Sequence, residues 1–71
     1  MNEVTYFMWY IYNRWSHSES IMLFGENLGE HIFEKWRWYR RQSLDSLMWY
    51  SELDNECRQK IVDRANEIYG K

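Results

Sequence analysis

The chain has no proline, three glycines and a single cysteine among its 71 residues. Because proline breaks helices, its absence favours continuous helical segments. One cysteine, Cys57, excludes an internal disulfide framework, and one cysteine with two histidines falls short of the four ligands of a structural zinc site. We therefore expect a protein without a bound metal or cofactor, and the cytoplasm is its expected location.

Long apolar runs and an excess of charge of one sign are also missing. The longest nearly continuous apolar run, residues 6–12, is far shorter than the about 20 residues that cross a bilayer as a helix. No basic flank with a small-residue cleavage site resembles a signal peptide. The net charge of −2 provides no global field to attract nucleic acid or anionic lipid. The sequence therefore predicts no membrane partner.

Aromatic residues are abundant, since Phe, Trp and Tyr make up 20% of the chain. With 45% hydrophobic and 28% charged residues, the composition is that of a globular protein. A domain of this size removes only about 60% of its unfolded surface from water, so its core must be small. We expect residues 1–71 to form a single domain around one aromatic-rich core.

Capping residues and apolar periodicity predict two longer helices. The clearest covers residues 55–69, with Asp54 as its N-cap and Gly70 at its end. The second covers residues 28–42, with Asn27 as its N-cap and a Glu three residues later, as in a capping box. The inward stripe of this second helix is predicted to be Leu28, Ile32, Trp36 and Tyr39.

Two shorter helices are predicted between and beside these. A capping box at Ser16 begins a helix that Gly25 ends, and either Ser43 or Asp45 caps another that runs through Tyr50. The buried face of the later helix is ambiguous, because its apolar residues point in two directions. The fold class is therefore all-α, with four or five short helices packed around one core.

The opening aromatic segment, residues 4–15, is compatible with a strand or a helix. Helix is preferred because no partner strand is visible elsewhere. At 100° per residue, one sector forms a core face: Val4, Phe7, Met8, Ile11, Tyr12 and Trp15. The opposite sector carries Tyr6, Trp9 and Tyr10. Because a few short helices cannot surround this one, we expect those three rings to face outward, although small domains also fill their cores with bulky rings.

These outward aromatics predict a small non-enzymatic protein–protein interaction module, which would act as an inhibitor, an adaptor or a self-associating protomer. Trp, Tyr and Arg contribute most of the binding energy at protein interfaces. The predicted partner-binding residues are Tyr6, Trp9 and Tyr10, with a second patch on the longer central helix made of Arg37, Trp38 and Arg41.

The alternative prediction is a helical nucleic-acid-binding module that uses residues 35–41. This stretch interleaves bases with aromatics, as single-strand binders do: Lys35, Arg37, Trp38, Arg40 and Arg41. Glu30 and Glu34 share a face with two of the arginines and neutralise much of this charge. Salt separates the two predictions, because phosphate binding weakens steeply as salt rises.

No catalytic or metal-ligating residue is assigned from the sequence. Cys57 lies in the first turn of the last helix, where the dipole can lower a thiol pKa, but its place on the apolar stripe indicates burial. No base is assignable to it, and no glycine-rich phosphate loop occurs. His31 and Glu34 are three residues apart on a helix, but they lack the repeated partners of a carboxylate-bundle metal site.

Overall fold

Helices account for nearly all of residues 3–70, which this computed structural model describes. The elements are α1 (Glu3–Trp9), a π-helical turn (Tyr10–Arg14), α2 (His17–Phe24), α3 (Glu26–Arg41), α4 (Ser46–Glu52) and α5 (Asn55–Tyr69). The predicted all-α single domain is confirmed, and residues 3–70 contain no strand. The predicted core position of Val4 lies outside the side chains that the structure describes.

The core is a cluster of aromatic and aliphatic side chains with Trp15 among its rings. The Trp15 ring centroid lies 5.4 Å from that of Trp49, 5.7 Å from that of Tyr10 and 6.4 Å from that of Phe24. Aromatic pairs at such separations and tilted angles add stability beyond their buried area. The buried hydrophobic residues are Phe7, Tyr10, Ile11, Trp15, Ile32, Tyr39, Trp49, Ile61 and Ala65.

The predicted caps of three helices are confirmed. The side chains of Ser16, Asp45 and Asp54 each accept a backbone N–H from the first turn, at 3.2, 2.9 and 2.9 Å. Of the two candidates for α4, Asp45 is therefore the cap, while Ser43 adopts a left-handed φ of 59° in the preceding turn. The bounds of α5 agree with the sequence prediction at both ends.

The predicted start of α3 is wrong. The helix begins at Glu26, and Asn27 lies inside its first turn rather than at its N-cap. Gly25 is both the C-cap of α2 and the N-cap of α3. Its backbone angles, φ 85° and ψ 168°, lie in a region of dihedral space that is essentially restricted to glycine. Glu30 pairs with His17 across the α2–α3 hairpin. Because the residue at the N-cap is a glycine, α3 lacks the side-chain cap that the sequence predicts.

Gly29 lies inside α3, at its closest approach to α2. Its carbonyl oxygen accepts a hydrogen bond of 2.7 Å from the buried Ser20 hydroxyl. A Cβ atom built on Gly29 would lie 2.6 Å from the backbone oxygen of Ser20 and 2.9 Å from the Cα of Ile21. The missing side chain therefore allows the two helix backbones to touch.

A wide turn after α1 reverses the predicted positions of two tyrosines. The N–H of Trp15 donates to the carbonyl of Tyr10, five residues back, at 2.8 Å. Because this turn holds more residues than an α-turn, the 100° spacing no longer places every side chain correctly beyond Trp9, although Ile11 and Trp15 are buried as predicted. Tyr10, predicted to face outward, is fully buried, and Tyr12, predicted to lie in the core, is 43% exposed. Both predictions are therefore wrong.

A polar cluster joins the wide turn to α2 and α5. The Tyr10 hydroxyl donates to Glu19 Oε1 at 2.7 Å, and Arg64 Nε donates to the same oxygen at 2.9 Å. Hydrogen bonding from Arg64 lowers the pKa of Glu19 against the opposing effect of burial, and Tyr10 lowers it further. Burial, and then the contact with Glu19, raises the pKa of the Tyr10 hydroxyl. Glu19 is therefore ionised at neutral pH.

Candidate functional site

The two exposed large apolar side chains of α3 lie along one side of the helix, with two polar residues between them. Leu28 is 47% exposed and Trp38 is 50% exposed, with the exposed side chains of His31 and Lys35 between them. Steps of three, four and three residues place all four on one face of a helix. We call these four residues, Leu28, His31, Lys35 and Trp38, the α3 seam.

A cleft of about 240 Å³ opens beside the seam, between α3 and the junction of α4 with α5. Its deepest residues are the buried Ile32 and Trp49, which are held together by a hydrogen bond of 3.1 Å from Trp49 Nε1 to the Ile32 carbonyl. We call it the α3 cleft. Its lining comprises Leu28, His31, Ile32, Lys35, Trp49, Glu52, Leu53, Asp54 and Cys57.

The first turn of α5 borders the α3 cleft, and its contacts change the pKa of the Cys57 thiol. The Asp54 carboxylate accepts the Cys57 backbone N–H, and this bond lowers the pKa of the Asp54 carboxyl. Burial, reinforced by the hydrogen bond with Asp54, raises the pKa of the Cys57 thiol. The effect is opposite to that expected of a helix dipole alone. Because the thiolate is the nucleophilic form, a thiol with a raised pKa is a weak nucleophile.

The three aromatic residues of the opening segment that were predicted to face outward differ in their exposure. Trp9 is 50% exposed and meets Tyr69 of α5 edge-on, with ring centroids 6.2 Å apart. Tyr6 is partly buried, and Tyr10 is fully buried, so its side chain cannot contact a binding partner of the folded chain. Of the three aromatics predicted to face outward, only Trp9 offers a large exposed ring.

The second predicted patch is intact on the surface of α3. Arg37, Trp38 and Arg41 are all exposed, although Arg37 also forms an ion pair of 3.2 Å with Glu34. Trp38 packs edge-on against the buried Tyr39, which fixes one side of its indole. The two predicted patches lie on different elements: α1 packs on α5, whereas α3 packs on α2 and α4.

The basic stretch of residues 35–41 makes contacts within its own helix. The Arg40 guanidinium lies 5.3 Å from the centroid of the Trp36 ring, and Arg37 is paired with Glu34. Lys35 and Arg41 are exposed on either side of Trp38. Two of the four bases therefore already have partners, and nucleic-acid binding by this stretch stays a prediction.

The sequence pattern does not predict the α3 cleft as a site. The prediction that Leu28 belongs to the inward stripe of α3 is wrong, because this side chain borders the cleft and is half exposed. The spacing of Leu28, His31, Lys35 and Trp38 was the available signal. The contributions of Leu53 and Cys57 depend on how α5 packs, which no local pattern reveals.

Among the side chains that the structure describes, those of residues 5–70, no three of the metal-binding types converge. None of the helices within residues 3–70 has the length and hydropathy needed to cross a bilayer. Comparisons of the chain with protein-family models, with curated proteins and with solved structures gave no match in any of the three.

Proposed function

We propose that this chain is a small, non-enzymatic protein-interaction module that binds its partner through the α3 seam and the α3 cleft. The observation that carries the proposal is the pairing of two half-exposed apolar side chains, Leu28 and Trp38, with an open cleft on the same side of one helix. Isolated exposed apolar residues are ordinary, and the proposal therefore rests on the cleft that opens between these two residues, next to Leu28.

The size of the α3 cleft supports a protein partner. Pockets for drug-sized ligands occupy about 300–1,000 Å³. The α3 cleft, at about 240 Å³, suits a single large side chain. At protein interfaces, a few buried aromatic anchors carry most of the binding energy. The α3 cleft would receive an anchoring side chain of the partner, and the exposed Trp38 would be an anchor of this chain.

The raised pKa of the Cys57 thiol also supports a binding role over a nucleophilic one. A cysteine that acts as a nucleophile normally has its pKa lowered by a cation or a helix N-terminus. Here burial acts in the opposite direction. In this proposal, Cys57 is one wall of an apolar cavity.

Trp38→Ala and Trp9→Ala form a matched pair for testing the proposal, because both indoles are 50% exposed and they lie on different elements. Each chain, immobilised by an added N-terminal tag, is used to capture proteins from an extract of the cells that produce it. We expect wild type and Trp9→Ala to retain the same protein, and Trp38→Ala to retain it about tenfold more weakly, as for an interface anchor.

Equal retention by all three chains would contradict the proposal, as would retention lost only with Trp9→Ala. The second result would move the site to the opening aromatic segment. Repeating the capture at low and high salt tests the nucleic-acid prediction, because phosphate contacts alone would weaken steeply with salt. Loss of the retained protein after nuclease treatment would likewise favour that prediction.

A further inference from the structure

The two ends of the α3 seam present complementary features. At one end, the half-exposed indole of Trp38 is followed three residues later by the exposed cation Arg41. Lys35, three residues before Trp38, also lines the α3 cleft and so lies between the two ends. Residues three apart are neighbours on a helix surface. This end of the seam is therefore an aromatic knob with positive charge beside it.

The other end of the seam is a hole with negative charge beside it. The α3 cleft opens next to Leu28, and Ile32 and Trp49 form its buried apolar floor. Glu52 and Asp54 belong to its lining, and both are exposed. A buried indole needs an acceptor for its N–H as well as an apolar surface, and carboxylate oxygens supply that acceptor.

From this complementarity we infer that the α3 cleft is occupied by Trp38 of a second copy of this chain, in a two-fold symmetric dimer with the α3 helices antiparallel. The inference rests on the proposed function and names its partner. Leu28 and Trp38 lie five residues on either side of Phe33. A two-fold axis that crosses the seam at the level of Phe33, between His31 and Lys35, therefore places each Trp38 against the other copy's Leu28 and cleft, about 15 Å along the helix from its own Leu28.

The charge distribution along α3 favours the antiparallel orientation. The acidic residues of α3 precede the basic ones. Antiparallel copies therefore bring each acidic half against a basic half, whereas parallel copies bring halves of like charge together. Of the seam residues nearest the axis, Lys35 lies opposite the other copy's His31, and Glu34, beside them, is already paired with Arg37 of its own helix. In the inferred dimer, Arg41 of one copy approaches the cleft of the second copy, whose lining includes Glu52.

The dimer is expected to be weak and reversible. A helix of 16 residues is about 24 Å long, so a seam along one side of it buries an area at the low end of specific interfaces. Sedimentation velocity of the purified full chain over a wide range of concentration measures the association directly. We expect the mass to rise from 9.0 kDa toward twice that value as concentration increases.

Trp38→Ala is expected to raise the dimer dissociation constant at least tenfold, while Trp9→Ala, with the same exposed fraction, leaves it within about twofold. Circular dichroism of each variant verifies the fold. A monomer at every concentration overturns the inference, and so does a dimer that Trp38→Ala leaves unchanged.

A charge exchange tests the antiparallel contact itself. Arg41→Glu and Glu52→Lys each place like charges at both copies of the contact in their own homodimers, so each variant alone is expected to dissociate at least fivefold more readily. In the mixed dimer both contacts join opposite charges again, so mixing should restore association. Because Glu52 also hydrogen-bonds Tyr39, recovery in the mixture separates lost charge pairing from a disturbed fold.

Failure of the mixture to recover overturns the antiparallel arrangement. The failure of this inference is distinguishable from that of the proposed function. A chain that stays monomeric in isolation but still retains a different protein through Trp38 refutes the dimer and keeps the interaction module. A chain that shows neither property refutes both.

Discussion

Gly29 shows, at the scale of one residue, how a missing side chain sets the spacing of two helices. In an isolated helix, replacing glycine by alanine adds up to about 1 kcal/mol of stability. Here the added Cβ would meet backbone atoms of Ser20 and Ile21, which cannot turn aside as a flexible side chain can. Separating the helices would also lengthen the hydrogen bond between the Ser20 hydroxyl and the Gly29 carbonyl. The tertiary contact therefore outweighs the helix propensity.

Gly29→Ala is expected to lower the free energy of unfolding by about 1–3 kcal/mol, the usual range for overpacking a tight contact. The matched control is Asn27→Ala, an exposed position in the same helix, where the change is expected to be neutral or slightly stabilising. Urea denaturation followed by circular dichroism measures both. A Gly29→Ala protein as stable as wild type would show that the α2–α3 contact has room for a methyl group.

At the scale of elements, the sequence predicted which segments are helical and where most of them begin, because those features depend on local capping and on periodicity. Asp54 and Ser16 cap the helices that the pattern indicated. The start of α3 could not be predicted, because a one-residue junction at Gly25 is allowed only by the way α2 and α3 pack. The wide turn after α1 was missed for a similar reason, since no residue pattern distinguishes it from an α-turn.

The wide turn fixes the position of Trp15 relative to the core. Removing one residue converts such a turn to α-helical spacing and turns the residues that follow by about 100° around the axis. Asn13 is exposed, and its side-chain amide donates to the Trp9 carbonyl at 3.1 Å within this turn. Its deletion therefore tests the spacing without removing a core side chain.

Deletion of Asn13 is expected to displace Trp15 from Trp49 and Phe24 and to destabilise the fold by about 3–5 kcal/mol, as does loss of a buried tryptophan. Asn13→Ala, which keeps the chain length and loses only one exposed hydrogen bond, should reduce the free energy of unfolding by about 1 kcal/mol or less. Near-ultraviolet circular dichroism and thermal denaturation compare the two. Equal stability of the two variants would contradict a role for the extra residue.

At the scale of the whole molecule, the cluster of Tyr10, Glu19 and Arg64 connects three elements that are distant in the chain. The Glu19 and Arg64 side chains are only 16% and 20% exposed, so their ion pair is better shielded from water than an ordinary surface pair. The folded protein lowers the pKa of the Glu19 carboxyl below its ordinary value of 4.5. Its contribution to stability is therefore complete above pH 4.5 and is lost as the pH falls through the lowered value.

Glu19→Gln is expected to reduce the free energy of unfolding at neutral pH by about 2 kcal/mol, because a charge-assisted hydrogen bond is lost in a mostly buried site. Below pH 4.5 the wild-type value should fall more steeply than that of the variant, so the two curves converge. Urea denaturation at a series of pH values measures this. Glu67→Gln, which alters the exposed partner of the same Arg64, is the control and should change stability by less than about 0.5 kcal/mol. Parallel curves for wild type and Glu19→Gln would contradict the role assigned to Glu19.

The candidate site was only partly accessible from the sequence. The exposure of Trp38, Arg37 and Arg41 follows from the amphipathic pattern of α3, so that patch could be predicted. The α3 cleft could not, because it exists only where α4 and α5 meet α3 without filling the space beside Leu28. The burial of Tyr10 in the wide turn and the partial burial of Tyr6 in α1 remove two of the three aromatic residues that favoured a site on the opening segment.

The single-glycine junction at Gly25 also determines where the polypeptide tolerates rearrangement. No spare backbone separates α2 from α3, so an insertion at this junction would pull Ser20 away from Gly29 and open the hairpin. The connection between α3 and α4 is longer, and Gln42 and Ser43 are exposed there. A label or epitope inserted between Gln42 and Ser43 therefore disturbs only the hydrogen bonds that the Ser43 and Leu44 N–H groups donate to the last turn of α3, and leaves the contact between α2 and α3 intact.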